Sequence, residues 1–141
     1  MKVKIKKIEG GKLPEYKRDG DVCLDCYARI SGSSIEIPKG ARCLVNLGFA
    51  LELDEGYEAV VRPRSGLSLR GVDEVVGTID YNYRGEVKAC VINNTQSSFT
   101  VDDGDRICQL AIRQAPKIEW EIVEELSETE RGADGFGSSG K

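Results

Sequence analysis

Apolar and polar positions alternate along this chain in short runs, and glycine, proline and aspartate punctuate them. The runs Val3–Ile8, Val22–Ile30, Ser34–Ile37, Arg42–Leu53, Tyr57–Arg62, Val87–Asn93, Ser98–Val101, Arg106–Arg113 and Ile118–Val123 predict strands. Asp54-Glu55-Gly56 predicts a hairpin turn between two of them, and Pro38-Lys39-Gly40 and Asp102-Asp103-Gly104-Asp105 predict further turns. Many short strands with frequent turns read as an all-β sandwich or barrel. Only Glu121–Glu130 has a helix-forming composition, and its periodicity is weak. No internal repeat or linker divides the chain. The last stretch, Arg131–Lys141, is mostly glycine and serine, with too little apolar content to fold alone, and predicts a mobile arm.

Composition narrows the partners. The chain has 141 residues, enough for one domain with a core of its own, and 40% hydrophobic with 31% charged residues places it in the ordinary globular class. A net charge of −4 argues against a nucleic-acid partner, because duplex binding draws on a basic face. It leaves room for one small anionic ligand held by a local cluster of arginines. No apolar run reaches the roughly 18 residues of a membrane span, so no membrane partner is expected. Met1–Glu9 alternates Val, Ile and Lys and lacks the apolar run of a signal peptide, so an intracellular, cytoplasmic protein is expected.

Cysteine and histidine usage bounds the chemistry. Five cysteines without an export signal do not predict disulfides. Cys23 and Cys26 form a CxxC, but on a strand residues three apart face opposite sides, no second CxxC exists, and they read as small packing residues. The chain contains no histidine, which excludes Ser-His-Asp and Cys-His catalysis. A general base near neutral pH must then be a carboxylate, a lysine or a tyrosine.

Five segments carry candidate chemistry, each with a plainer reading beside it. In Leu24-Asp25-Cys26-Tyr27-Ala28, Asp25 interrupts an apolar strand; taken alone it reads best as a strand-edge aspartate facing water. Arg62-Pro63-Arg64-Ser65-Gly66-Leu67 suits an oxyanion: Arg64 offers a fork of donors and Gly66 permits close backbone approach, although a turn with a solvated arginine is an equal reading. Gly77–Glu86 gathers Asp80, Tyr81 and Tyr83 between apolar runs, either to hold a water and a sugar or as a long turn plugged by aromatics. In Gly104–Leu110, Arg106 and Gln109 interrupt an otherwise apolar strand and need partners, as a site or as an internal network. Gly135–Lys141 matches the first seven positions of a Walker A loop, but the chain offers no Ser or Thr and no helix after it. What remains is a glycine-rich arm with Arg131 and Phe136, which either closes over a ligand or is simply a tail.

Taken together, PRSGL, GTID with YRGE, GDRICQL and RG with GFGSSG resemble, in order and spacing, the five motifs of the trimeric deoxyuridine triphosphatases, from Pro14 to Gly140. The resemblance implies a jelly-roll-like β core over residues 1–126 and a C-terminal arm over 127–141. It also implies a homotrimer with sites between subunits and dUTP as substrate. Carried over, Arg64, Ser65 and Gly66 resemble the triphosphate loop, and Asp80 the residue that positions the attacking water. Tyr83 resembles the ring packed on deoxyribose that leaves no room for a 2′-hydroxyl. Gly77, Thr78 and Ile79 line the sugar and base pocket, and Lys88 lies near substrate. Gln109 resembles a phosphate ligand, Arg131 the γ-phosphate arginine, and Phe136, followed by Gly137, the ring stacked over uracil. Asp25 resembles the acid that meets Mg2+ indirectly, through water, with the ion carried by the phosphates.

The implied reaction is in-line attack of that water at the α-phosphorus, with pyrophosphate leaving. Two departures stand out. Asn82 occupies a place where many relatives have a second acid, and Glu74 a place where many carry Asn against the uracil, so Glu74 either repels substrate or points elsewhere. Backbone groups around Val75–Gly77 are the alternative readers of the base. Two other functions fit the same fold: a dCTP deaminase-like enzyme and a non-catalytic regulatory member of the family.

Overall fold

A computed structural model describes residues 1–134. The order is β1 (Lys4–Lys7), β2 (Leu24–Tyr27), β3 (Ser34–Ile37), β4 (Arg42–Asn46), β5 (Phe49–Glu52), β6 (Tyr57–Pro63), α1 (Ser65–Ser68), β7 (Val72–Val75), β8 (Gly77–Ile79), β9 (Lys88–Asn93), β10 (Phe99–Asp102) and β11 (Arg106–Gln114). Four sheets form: β2-β11-β6-β8, β4-β9-β7, β1-β5 and β10-β3, with every pairing antiparallel. This is an all-β, jelly-roll-like sandwich, and strand neighbours distant in sequence, such as β2 and β11, make its topology.

The core draws on all four sheets. Phe49, Leu47, Val45, Val61, Val91 and Ile37 are almost wholly buried there. Each contributes about 1.5–3 kcal/mol by leaving water. The alternation in β9, Lys88 out and Ala89 in, Val91 in and Asn93 in, shows the period of two that the sequence pattern reads. Asn93 is the polar member of this face, and its amide donates to Ile37 O and Ser97 O, both at 2.8 Å.

Several expectations are corrected. The run Arg42–Leu53 is two strands, broken at Leu47-Gly48, where Gly48 has φ +78° and sits so close to Gly11 that neither tolerates a Cβ. Asp54-Glu55-Gly56 turns the chain, with Tyr57 N donating to Asp54 O at 3.3 Å, but joins no hairpin: β5 pairs with β1, and β6 with β8 and β11. Ile118–Val123 forms no strand, because no strand among the described residues offers it a ladder. Glu121–Glu130 is not helical; weak periodicity leaves it no apolar face to dock. Val72–Val75 and Gly77–Ile79, absent from the runs that predict strands, are β7 and β8. Among the described residues no helix is long and apolar enough to cross a membrane.

Candidate functional site

β11 builds the centre of the site. Its apolar residues face the core, and Arg106 and Gln109 turn the other way, toward β2. There Asp25, the register partner of Gln109, is almost completely buried. Its Oδ2 accepts from Arg106 Nη1 at 3.0 Å, its Oδ1 accepts from Gln109 Nε2 at 3.2 Å, and Arg64 Nε stands 3.4 Å from Oδ1. Asp25 is therefore not a strand-edge aspartate facing water. It is a hub that accepts two hydrogen bonds and pairs with a second guanidinium, Arg64, whose buried Nε makes no hydrogen bond. Burial of a carboxylate without such partners would be strongly unfavourable.

Arg64 donates from Nη1 to Arg106 O at 2.8 Å, which fixes the guanidinium across the mouth of the turn. Directly after it, Ser65 and Gly66 are exposed at the start of α1. Arg64, Arg70, Arg106, Leu67, Phe99 and Ile107 line a cleft of about 220 Å3. Its one acid, Asp105, is engaged, accepting the Asp102 N–H at 3.0 Å. The cleft is thus cationic and rich in donors, and suits a polyanion. Arg70 and Phe99 were not legible in the sequence, since neither breaks a local pattern.

A second constellation lies elsewhere. Gly77, Thr78 and Ile79 form β8, the edge strand beyond β6, with Ala59↔Ile79 and Val61↔Gly77 in register. Asp80 and Tyr83 follow in a turn, with Tyr83 N donating to Asp80 O at 3.0 Å, and both side chains are exposed. Tyr83 Oη donates to Glu86 O at 3.2 Å, and the ring lies over Gly85, where a Cβ would overlap the hydroxyl. The turn is anchored at its far end by Glu86, which Arg29 grips through two hydrogen bonds of 2.8 and 2.7 Å. Lys88 opens β9, exposed and opposite Asn46.

Within one chain these two constellations do not meet. Arg64 follows the last residue of β6, whereas Asp80 lies beyond the partner of Ala59. At about 3.3 Å per residue they are roughly 15–20 Å apart along the strand.

Glu74 points inward. It alternates with buried Val72 on β7, is almost fully buried, and its Oε2 has no hydrogen-bond partner. Burial pushes its pKa up to about 7, opposed by a backbone hydrogen bond at Cys90. Arg131 is exposed, its Nε donating to Asp134 O at 2.9 Å. The expectations for Phe136 and Gly137 lie outside the described residues.

Fold and cleft together define a β-sandwich protein with a cleft lined by three arginines. The chain belongs to the dUTPase family, whose model matches residues 9–140, and it is an enzyme, a hydrolase of nucleotides. It is 46% identical to the deoxyuridine 5'-triphosphate nucleotidohydrolase of Orientia tsutsugamushi strain Ikeda, over 99% of each chain. It is 40% identical to that of Fusobacterium nucleatum, over 100% of this chain and 98% of the other. In fold it resembles the dUTPase of Staphylococcus bacteriophage 80alpha, solved with dUPNHPP, at TM-score 0.91 and 24% identity over 99% of both chains. A mutant dUTPase of phage phi11 of S. aureus, described as coordinating a structural Mg(II) ion, superposes at TM-score 0.82 and 18% identity over 91% of this chain and 100% of the other.

Proposed function

We propose that the chain hydrolyses dUTP to dUMP and pyrophosphate, at a site completed by more than one copy of itself. The observation that carries this reading is the separation of Asp80 from Arg64. A base that holds the attacking water must stand within hydrogen-bond reach of it, beside the same phosphate that the cationic cleft binds. One chain holds these groups at opposite ends of β6, so Asp80 and Tyr83 of one copy serve the Arg64–Gln109 cleft of another. The extended segment after β11 supports association: Ile118, Trp120, Ile122 and Leu126 are all highly exposed, an apolar load that a lone chain leaves in water. We read the assembly as a homotrimer, the closed symmetric form the family resemblance implies. Residues 1–126 form its core unit. Residues 127–141 form an arm that brings Arg131, Phe136 and Gly137 over the nucleotide.

In this reading the Ser65–Gly66 turn and Gln109 hold the phosphates, while Arg64 supplies fixed positive charge. Asp80 orients a water at the α-phosphorus and takes its proton as the bond to the pyrophosphate oxygen breaks. Tyr83 packs on the deoxyribose and excludes a 2′-hydroxyl, with Thr78, Ile79 and Lys88 around the sugar. With Glu74 turned inward, the base is read by backbone. β8 is an edge strand whose outer N–H and C=O groups, from Gly77 onward, are free to pair with the uracil edge.

Among the described residues no cluster of three or more His, Cys, Asp or Glu is placed to hold a metal. Asp25 has given each oxygen a partner and keeps lone pairs only for a water. The donor set therefore fits Mg2+ that arrives on the triphosphate and meets Asp25 through water, where it would neutralise phosphate charge. Five free cysteines fit a reducing compartment such as the cytoplasm.

Pyrophosphate release with magnesium, from dUTP, dCTP, dTTP and UTP at equal concentration, tests the reading. Turnover of dUTP alone is expected. Ammonia release from dCTP would favour the deaminase, and no turnover by a folded assembly would favour a binding protein.

A further inference from the structure

Behind the phosphate cleft two cysteines lie side by side in the core. Cys26 on β2 and Cys108 on β11 are directly opposed in the antiparallel register, and both are fully buried. The neighbouring Cys26 thiol, together with burial, raises the Cys108 thiol well above the usual range. Directly opposed residues of an antiparallel pair have Cα atoms about 4.5–5.5 Å apart, within the roughly 4.4–6.8 Å span of disulfides. No other pair among the five is so placed: Cys43 is opposed to Val91 and Cys90 to Leu44, which puts Cys43 and Cys90 on opposite faces of their sheet.

The next register pair is Asp25↔Gln109, joined on the opposite face by a 3.2 Å hydrogen bond. Cys26 and Cys108 thus lie on one face of the two-strand ribbon and Asp25 and Gln109 on the other, where Asp25 pairs with Arg106 and Arg64 of the cleft. β2 has only four residues, and on its outer side it is held by the single Glu15↔Asp25 bridge, so local opening can admit a small oxidant.

We propose that Cys26 and Cys108 are a paired redox site, closing to a cross-strand disulfide under a two-electron oxidant such as hydrogen peroxide and thereby displacing Asp25, which holds Arg106 and Arg64 of the phosphate cleft. Opening of the strand to water relieves the burial that keeps the proton on sulfur; one thiol loses its proton, the thiolate attacks peroxide, and the hydroxide expelled takes up that proton, giving a sulfenic acid and one water; the second thiol displaces a second water from it as the S–S bond forms. Two thiols are oxidised and one peroxide is reduced to two waters. A small thiol reverses the bond by exchange. The consequence for turnover rests on the proposed dUTP hydrolysis; the bond itself does not.

The test uses the full-length assembly, titrated with hydrogen peroxide, trapped with an alkylating reagent and mapped by peptide mass, with pyrophosphate release from dUTP and magnesium read in parallel. The expected result is a Cys26–Cys108 cross-link. Turnover falls on the order of tenfold or more, as small displacements of ligand-holding groups do, and a thiol reductant restores it. Cys108→Ala keeps turnover and loses the response; Cys26→Ala serves in its place if that variant does not fold. Oxidation of Cys23, Cys43 or Cys90 with no Cys26–Cys108 cross-link overturns the proposal. A cross-link that leaves turnover unchanged overturns the coupling to the cleft. A reduced protein inactive on dUTP would fail the proposed function, and the mass map would still decide the bond.

Discussion

Arg29 and Glu86 form a two-pronged ion pair, Nε to Oε1 at 2.8 Å and Nη2 to Oε2 at 2.7 Å, and Gly48 N donates to the same Oε1 at 2.9 Å. Glu86 ends the turn that begins at Asp80, so the pair ties that turn to the body of the protein. Glu86→Ala leaves the guanidinium and the Gly48 N–H without their acceptor, and should cost about 1–3 kcal/mol. Arg29, by its hydrogen bond, holds the Glu86 carboxyl below its ordinary 4.5. A depressed folded-state pKa gives stability that is present above 4.5 and lost as pH falls through the folded value. Thermal unfolding of wild type and variant from neutral pH downward checks this: the gap should narrow in acid.

Asp25 should act as a positioning residue. Asp25→Asn keeps the shape and removes the charge that Arg106, Arg64 and Gln109 share. KM for dUTP should rise, by about tenfold to a hundredfold if donors shift by an ångström, with a smaller change in kcat. Steady-state kinetics on dUTP separate the two; an unchanged KM would show that the cleft arranges itself without Asp25.

Tyr83 should set sugar selectivity. Tyr83→Ala should reduce the preference for dUTP over UTP by about tenfold to a hundredfold, the scale on which a pocket senses one small group. Gly85→Ala should act the same way, because its Cβ would displace the Tyr83 ring. Competition between the two nucleotides measures both; an unaltered ratio in Tyr83→Ala would assign the selectivity elsewhere.

Glu74 makes the fold sensitive to pH. Its folded-state pKa is raised from 4.5 to about 7 by burial. Below 4.5 both states are protonated and nothing is lost. Between 4.5 and 7 the unfolded chain ionises first, so the native state loses about 2–3 kcal/mol as pH rises through that window. Glu74→Gln should remove this dependence and raise Tm at pH above 7 relative to wild type. Equal Tm difference on both sides of the window would show that Glu74 ionises freely.

Much of the molecule was legible in the sequence where local pattern and tertiary structure agree. β3, β9 and β11 follow runs that alternate strongly, and the turns at Pro38 and Asp102 carry their own chemistry. Arg106 and Gln109 stood out because polar groups in an apolar strand need partners, and Asp25 supplies them. That Asp25 is buried was not legible, since burial depends on Arg64 arriving from another strand. β7 was missed because its inward positions are Val72 and Glu74, and a buried carboxylate breaks the apolar alternation. Arg29–Glu86 joins positions far apart in sequence that no local signal links. Ile118–Val123 has a strand's pattern but no partner among the described residues.

Subunit complementation tests the central claim most directly. Asp80→Asn and Arg64→Ala chains, each inactive on dUTP when assembled alone, are mixed under conditions that allow subunit exchange, and pyrophosphate release is measured. If Asp80 of one copy serves Arg64 of another, about a quarter of all sites regain both groups after complete exchange of equal amounts, since each intact group is carried by half the chains. Turnover should then recover to a corresponding fraction of wild type. A mixed assembly as inactive as either parent would contradict a site shared between copies.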